Sequence, residues 1–494
     1  MQTQGGVETG KNRPYIKKFK TEAGRYIYDV NSNEILQVSA PVYDLINHMD
    51  MTEDAMVAKF GGRHSEEEIR ESYRQIQDGR QSGLFDCHRP EIKWRLEVED
   101  VAQSLSSLEQ LILEVTRQCN LRCKYCVVSG FYATDQLRRN VMSLSTAKKA
   151  VDMFLARTDP KKTTAITFYG GEPLLKFDLI EQTVAYVKQR APKRKFRFSF
   201  TTNGALLHKR NVLSFLVENQ FSLLVSLDGP KKVHDRYRVM SNGRGSFDQI
   251  VDNLKNIKAL APEYYARHVR FNVVLTPPFD RQEIVEFFYQ NPFFEGKHEQ
   301  IRFSLMNDED TDFYRKFGQD KRDLPQSIQT LKKSYSEALV QGNSDSLKLE
   351  NDLFIKEFNS IAFRPGHRLR GFQGPVGQCL PGKRRLFVDT SGKLHMCEKA
   401  DTFVIGDVDR GLDERKIHQF MVDYAGFFKE CNSCWALRLC HKCFVGIDER
   451  FDKEKKKDMC KAKKRTLEHN LVNYCTILER NPKAFDVFKK YQFQ

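Results

Sequence analysis

Apolar and polar residues alternate over three short runs near the start of the chain, Tyr15–Lys20, Arg25–Val30 and Glu34–Val38. That is the period of a half-buried strand. Glu22-Ala-Gly24 and Asn31-Ser-Asn33 separate the runs with turn chemistry, so the three read as a small meander. The period then becomes helical at Val42–His48, Glu53–Phe60 and Glu66–Ser82. Over residues 108–306, strand-like and helix-like segments alternate. The expected strands are Gln110–Val115, Thr163–Tyr169, Phe196–Thr202, Phe221–Leu227, Val269–Leu275 and Gln300–Leu305, with helices such as Ser145–Arg157, Asp178–Arg190 and Ser246–Leu260 between them. Such alternation predicts an α/β fold built on a parallel sheet. Around this centre, residues 1–13 read as a disordered start and 14–85 as the strand-and-helix unit. Residues 86–107, with Pro90 and many polar side chains, read as a linker, and 307–375 as a bridging segment whose Asp308–Asp312 run is a solvated acidic turn. A cysteine-bearing domain over 376–478 and a tail over 479–494 complete the division.

At 494 residues the chain is long enough for more than one core, and 40% hydrophobic with 29% charged residues is an ordinary globular composition. No apolar run approaches membrane-spanning length, and the start Met1-Gln-Thr-Gln-Gly-Gly lacks the apolar segment of a signal peptide. A cytoplasmic location without membrane contact is expected. Twelve cysteines in that compartment argue for metal ligation over disulfides. The net charge of +15 is spread along the whole chain, and clusters such as Lys453–Lys464 read as solvated helix faces. Nucleic acid therefore ranks last among the partners.

The apolar run Leu108–Val115 is followed by Cys119-x3-Cys123-x2-Cys126. Three thiolates on one loop can hold three irons of a [4Fe–4S] cluster and leave the fourth iron open to chemistry. A structural zinc site would want a fourth ligand, which this loop does not offer. With the aromatic Tyr125 before its last cysteine, the loop resembles the signature of radical S-adenosylmethionine (radical SAM) enzymes. That resemblance implies a partial (β/α)6 barrel with its site at the C-terminal ends of the strands. It also implies SAM on the open iron, an electron donor of flavodoxin or ferredoxin type, and a 5′-deoxyadenosyl radical that takes a hydrogen atom from the substrate. Gly170-Gly171-Glu172-Pro173 follows the second strand. Its glycines allow close backbone approach to a ligand, and its carbonyls and carboxylate can accept from an ammonium group. It matches the family's GGEP motif, which holds the SAM amino group. By the same resemblance Thr202 and Asn203 reach the SAM ribose. Ser226, Asp228 and either Arg238 or Arg236 serve its ribose and carboxylate.

A second array runs Cys379, Gly392-x4-Cys397, Cys431-x2-Cys434-x5-Cys440-x2-Cys443 and Cys460. Alone, its paired cysteines also suit zinc ribbons. After the first loop it resembles the SPASM domain of peptide-modifying radical SAM enzymes. That implies one auxiliary [4Fe–4S] cluster on Cys431, Cys434, Cys440 and Cys460 and another on Cys379, Cys397 and Cys443. Two departures stand out: Gly382-Lys-Arg-Arg385 where some relatives carry a further cysteine, and x2 rather than x3 between Cys440 and Cys443. The first leaves an iron without an obvious protein ligand, open to a substrate thiolate unless Cys475, Cys87 or another group closes it. Otherwise Cys87 and Cys475 read as spectator thiols. The meander followed by helices resembles a winged-helix-like precursor-recognition domain, in which a leader peptide adds a strand at the sheet edge beside the third helix. In this order the parts resemble maturases of ribosomally made cysteine-rich peptides (sactipeptide or ranthipeptide type), which form intramolecular links from cysteine sulfur to carbon. Epimerisation, carbon–carbon crosslinking or formylglycine formation is the sister reading. A non-catalytic zinc- or nucleic-acid-binding protein is the reading from another class.

Overall fold

The computed structural model describes residues 13–127, 140–307, 311–343, 347–369, 371–374, 379–400, 403–441, 443, 451–486 and 488. Strands β1 (Ile16–Lys20), β2 (Arg25–Asp29) and β3 (Glu34–Val38) form an antiparallel sheet in sequence order. Three helices follow: α1 (Ala40–Leu45), α2 (Glu53–Phe60) and α3 (Glu66–Gln81). Ser39, Thr52 and Ser65 cap them, the last in a reciprocal capping box with Glu68. The central strand is apolar on both sides for a reason. Ile27 packs beneath the helices with Leu45, Met56, Ile69 and Ile76. Tyr26 and Tyr28, with Tyr15 and Phe19, pack the other way against Leu437, Leu467, Leu471 and Cys475 from the far end of the chain.

The expected linker is ordered instead. Val101 and Leu105 are fully buried on and just after the helix Val98–Ser104, and Ile92 is buried on β4 (Glu91–Ile92). These widely spaced apolar residues outweigh the polar stretch around Pro90.

Six parallel strands then pair in sequence order: β5 (Gln110–Thr116), β6 (Thr164–Gly170), β7 (Phe196–Thr202), β8 (Ser222–Ser226), β9 (Val269–Leu275) and β10 (Ile301–Leu305). They form the expected partial (β/α)6 barrel. Alternate side chains, such as Ile166, Phe168, Phe198, Phe200, Leu223 and Val225, are buried in the main core. The intervening positions are polar: Gln110 donates to Thr167 (2.6 Å), which in turn pairs with Ser199 (2.8 Å). Helices Asp323–Gln341 and Lys348–Ala362 of the bridging segment pack on the long helix Lys453–Arg480, and the latter also packs on β10. The expected tail belongs to the core, since Ala484, Phe485 and Phe488 are buried there.

The cysteine-bearing region is not a separate layer. β11 (Phe372–Gln373) pairs with β4, and β12 (Leu386–Val388) adds parallel to the free side of β5. β13 (Lys393–His395), β14 (Val404–Asp407) and β15 (Gly411–Leu412) continue antiparallel, giving one ten-stranded sheet. A three-residue strand such as β12, buried at every position, needs such a neighbour to persist. Among the described residues, no helix is long and apolar enough to cross a membrane.

Candidate active site and cysteine clusters

The first cysteine loop leaves the C-terminal end of β5 and is clasped by the segment after β8. Arg122 N donates to Val239 O (2.7 Å), Lys124 N to Tyr237 O (2.9 Å) and Ser241 N to Asn120 O (3.2 Å). Cys119, Cys123 and Cys126 are each half-buried. Burial, reinforced by the neighbouring thiols, pushes Cys123 up to about 12 and raises Cys119. Leu121 N and Asn203 Nδ2 point at Cys119 Sγ (3.4 and 3.7 Å), where they would favour a thiolate.

The Gly-Gly turn packs on the backbone that leaves β5. A Cβ on Gly170 (φ +154°) would lie 2.0 Å from Thr116 O, and one on Gly171 2.2 Å from Gln118 O. Gly171 N and Glu172 N donate to those same carbonyls (2.9 and 2.8 Å). The glycines therefore let the turn dock on the backbone of the cysteine loop. The Glu172 carboxylate, fully buried, accepts from Leu174 N (3.1 Å), Thr202 Oγ1 (2.8 Å) and Asn203 N (2.7 Å). In this geometry it ties the ends of β6 and β7 together. Pro173 starts the short buried turn that follows. Thr202 and Asn203 are likewise engaged by protein: Thr202 Oγ1 also accepts from Gly204 N (3.0 Å), and Asn203 Nδ2 donates to Asn120 Oδ1 (2.8 Å).

Behind the loop lies a buried polar knot. The Tyr125 hydroxyl donates to Asp228 Oδ2 and accepts from Arg238 Nη1 (2.5 Å), while Val274 N donates to Asp228 Oδ1 (3.1 Å). Burial pushes the Asp228 carboxyl up, against the pull of Arg238 and Tyr125. Despite its burial, Arg238 is held firmly charged by Cys123, Tyr125 and Asp228. Its Nε has no hydrogen-bond partner among the described residues, a buried donor suited to an anionic ligand. Arg236 is outside this knot, donating to Pro278 O (2.5 Å). Ser226 is buried at the end of β8.

Sequence reasoning missed His234, whose only signal is its place one turn before Arg238. Its Nδ1 accepts from Asp228 N (3.2 Å), its Nε2 meets Ser246 Oγ (3.0 Å), and Ser246 Oγ donates to Arg238 O (2.8 Å). Burial, then the charge of Arg238, drives His234 well below the ordinary histidine range, so the ring is neutral. Below about pH 6.5 the unfolded chain gains a proton here that the folded chain does not. Stability should fall as pH drops, by up to about 1.4 kcal/mol per unit. Thermal melts from pH 7 to 5 should show a shallower slope for His234→Gln than for the wild type, and parallel slopes would reject this account.

The other cysteines fall into two sets. Burial and then Cys443 raise the Cys379 thiol, and Cys443 acts on Cys397 as well, which places these three together. Gly392, at φ +87°, makes the turn before Cys397, where a Cβ would press to 2.9 Å from Val408. Burial pushes Cys431 up to about 12, with Cys434, Cys460 and Cys440 adding to it. These four line one cavity of about 40 Å³ with Ile92, Tyr424, Phe428 and Leu437. The volume exceeds what one water needs, and the lining is apolar apart from thiols and two lysines, Lys463 and Lys464. Four thiols around an apolar hollow fit a bound cluster. Cys475 is buried on the last helix beside Glu479 and Arg364, and Cys87 lies by Arg80, Arg89 and Asp86. Among the described residues, no group of three or more Cys, His, Asp or Glu side chains is placed to hold a single metal ion.

Residues 113–288 match the family model described as the radical SAM superfamily. These residues are similar to that superfamily and share its α/β fold. A cysteine-type anaerobic sulfatase-maturating enzyme of Clostridium novyi (strain NT) is 32% identical over 165 residues, 32% of this chain and 43% of that protein. The radical SAM cyclopropyl synthase TigE of Paramaledivibacter caminithermalis is 24% identical over 41% of this chain and 43% of its own length. The chain thus spans less than half the length of each of these two relatives. Among solved structures, one described as native anSMEcpe with bound AdoMet and Cp18Cys peptide superposes with a TM-score of 0.51 at 20% identity. That match covers 78% of this chain and 99% of the other, and the two share the fold.

Proposed function

We propose that this protein is a radical SAM enzyme that modifies a ribosomally synthesised, cysteine-rich precursor peptide by joining cysteine sulfur to a carbon of another residue in the same peptide. The observation that carries the reading is the three-thiol loop at the barrel mouth, flanked by two further cysteine sets. Cys119, Cys123 and Cys126 would hold the SAM-binding [4Fe–4S] cluster. Cys431, Cys434, Cys440 and Cys460 would hold one auxiliary cluster, and Cys379, Cys397 and Cys443 the other. When bound, the first cluster and SAM supply a 5′-deoxyadenosyl radical that removes a hydrogen atom from the substrate.

The protein's own residues do the positioning. Gly170, Gly171 and Glu172 lock the loop to β6 and β7, the amide of Asn203 is directed at Cys119 Sγ, and the knot of Tyr125, Asp228 and Arg238 backs the loop from below. Arg238 Nε is the donor available for the SAM carboxylate. At the front, β3 has no strand on its outer edge among the described residues, and Leu36, Val38 and Tyr73 beside it are partly exposed. That edge suits an added leader strand. A flavodoxin- or ferredoxin-type donor supplies the electron. The sulfatase-maturating relatives favour a second reading, another radical modification such as epimerisation, carbon–carbon crosslinking or formylglycine formation.

The test is anaerobic turnover with SAM, dithionite and a cysteine-rich precursor peptide. The expected products are 5′-deoxyadenosine and a peptide lighter by two hydrogens per crosslink, with a serine-substituted peptide left uncrosslinked. Equal modification of both peptides would favour the second reading. No deoxyadenosine from any peptide would remove both.

A further inference from the structure

The helix Lys453–Arg480 opens with eight basic residues against two acidic ones over 453–465. Lys453, Lys457, Lys461 and Arg465 recur at intervals of four, so they form one stripe along the helix. All four are exposed, and none has an ion-pair partner among the described residues. Lys456, by contrast, turns inward to Phe427 O (2.5 Å) and Glu430 (3.2 Å). Like charges spaced by four weaken a helix, so local stability does not account for the stripe. Its location supplies a second observation. The same turns carry Cys460, and Met459, Lys463 and Lys464 line the cavity of the four cysteines. The charge of Lys464 reaches the Cys434 thiol.

We infer that this lysine–arginine stripe is the docking face for an acidic one-electron carrier protein of flavodoxin or ferredoxin type. The inference rests on the functional reading above, since only redox chemistry calls for such a partner. An acidic carrier meets complementary charge here, and its redox centre is then one helix away from the cavity where Cys431, Cys434, Cys440 and Cys460 converge. The transfer moves one electron: the carrier is oxidised by one, the enzyme is reduced by one, and no bond is made or broken. Surface charge of this kind steers encounter and fixes orientation, and both effects fade as salt rises.

The test uses the full-length, cluster-loaded enzyme and oxidised flavodoxin, titrated calorimetrically at low and high salt. The quadruple variant Lys453→Gln, Lys457→Gln, Lys461→Gln, Arg465→Gln should bind flavodoxin at least about tenfold more weakly at low salt and lose most of the salt dependence. A control pair on two barrel helices, Lys188→Gln with Lys255→Gln, should bind like the wild type. Deoxyadenosine formation driven by dithionite, a small reductant that needs no docking, should be equal in all three proteins. Unchanged flavodoxin affinity in the quadruple variant overturns the docking face. So does a variant that loses affinity only for duplex DNA or for the precursor peptide. If the wild type makes no deoxyadenosine with dithionite, the functional reading falls, and the docking face with it.

Discussion

Replacing Cys119, Cys123 and Cys126 together with Ala should abolish SAM cleavage while leaving the other two cysteine sets able to bind iron. Total iron should fall from about twelve to about eight per chain, one cubane's worth. The loop should keep its course without the thiols, because backbone bonds clasp it: Arg122, Lys124 and Ser241 donate across to the segment after β8, and Gly171 and Glu172 dock from the other side. The loss is therefore one of ligands rather than of fold. The cavity of Cys431, Cys434, Cys440 and Cys460 is lined by other elements and does not share this loop. Iron analysis and chromatography of 5′-deoxyadenosine check both halves. Deoxyadenosine formed at near wild-type rate would refute the assignment of the open cluster to this loop.

Asp228→Ala should be the most destabilising single change near the site. It removes a buried carboxylate from Arg238, which lies 3.8 Å away with only 8% of its side chain exposed, and takes an acceptor from Tyr125 and from Val274 N. Breaking one half of a buried pair costs about 3–5 kcal/mol, because the remaining charge is left without compensation. In a domain of this size that lowers Tm by roughly ten degrees. Replacing both partners, Asp228→Ala with Arg238→Met, should recover a large part of the loss. Anaerobic thermal melts of the single and double variants decide it: additive losses would show that the two residues do not act as a pair.

Much of this was legible beforehand, and the reasons for the rest are local. The six barrel strands lie within a residue or two of their expected limits because each is a compact apolar run bounded by turn residues. The segment around Pro90 misled because Ile92, Val101 and Leu105 are too far apart to register as a pattern, although all three are buried. The pairing of β12 with β5 joins residues about 275 positions apart, and three apolar residues in a row carry no sign of such a partner. Glu172 and Thr202 look like ligand contacts in a motif, yet their polar atoms are engaged by neighbouring protein groups. His234 left no trace, since a lone histidine on a short helix has no spacing to betray it.

The continuous sheet has a consequence for what the protein can accept. Because β12 is hydrogen-bonded to β5 in register, Leu386 to Leu111 and Val388 to Leu113, the loop bearing Cys119 and the turn before Cys397 hang from one rigid ladder. Among the described residues, the β12–β5 pairing joins the two directly. Under the proposed chemistry, a peptide that engages both ends must cross the gap between them with its own chain, at no more than about 3.3–3.6 Å per residue. The sheet then acts as a ruler: the sequence distance between a cysteine and the carbon it joins is measured against a length the protein cannot adjust.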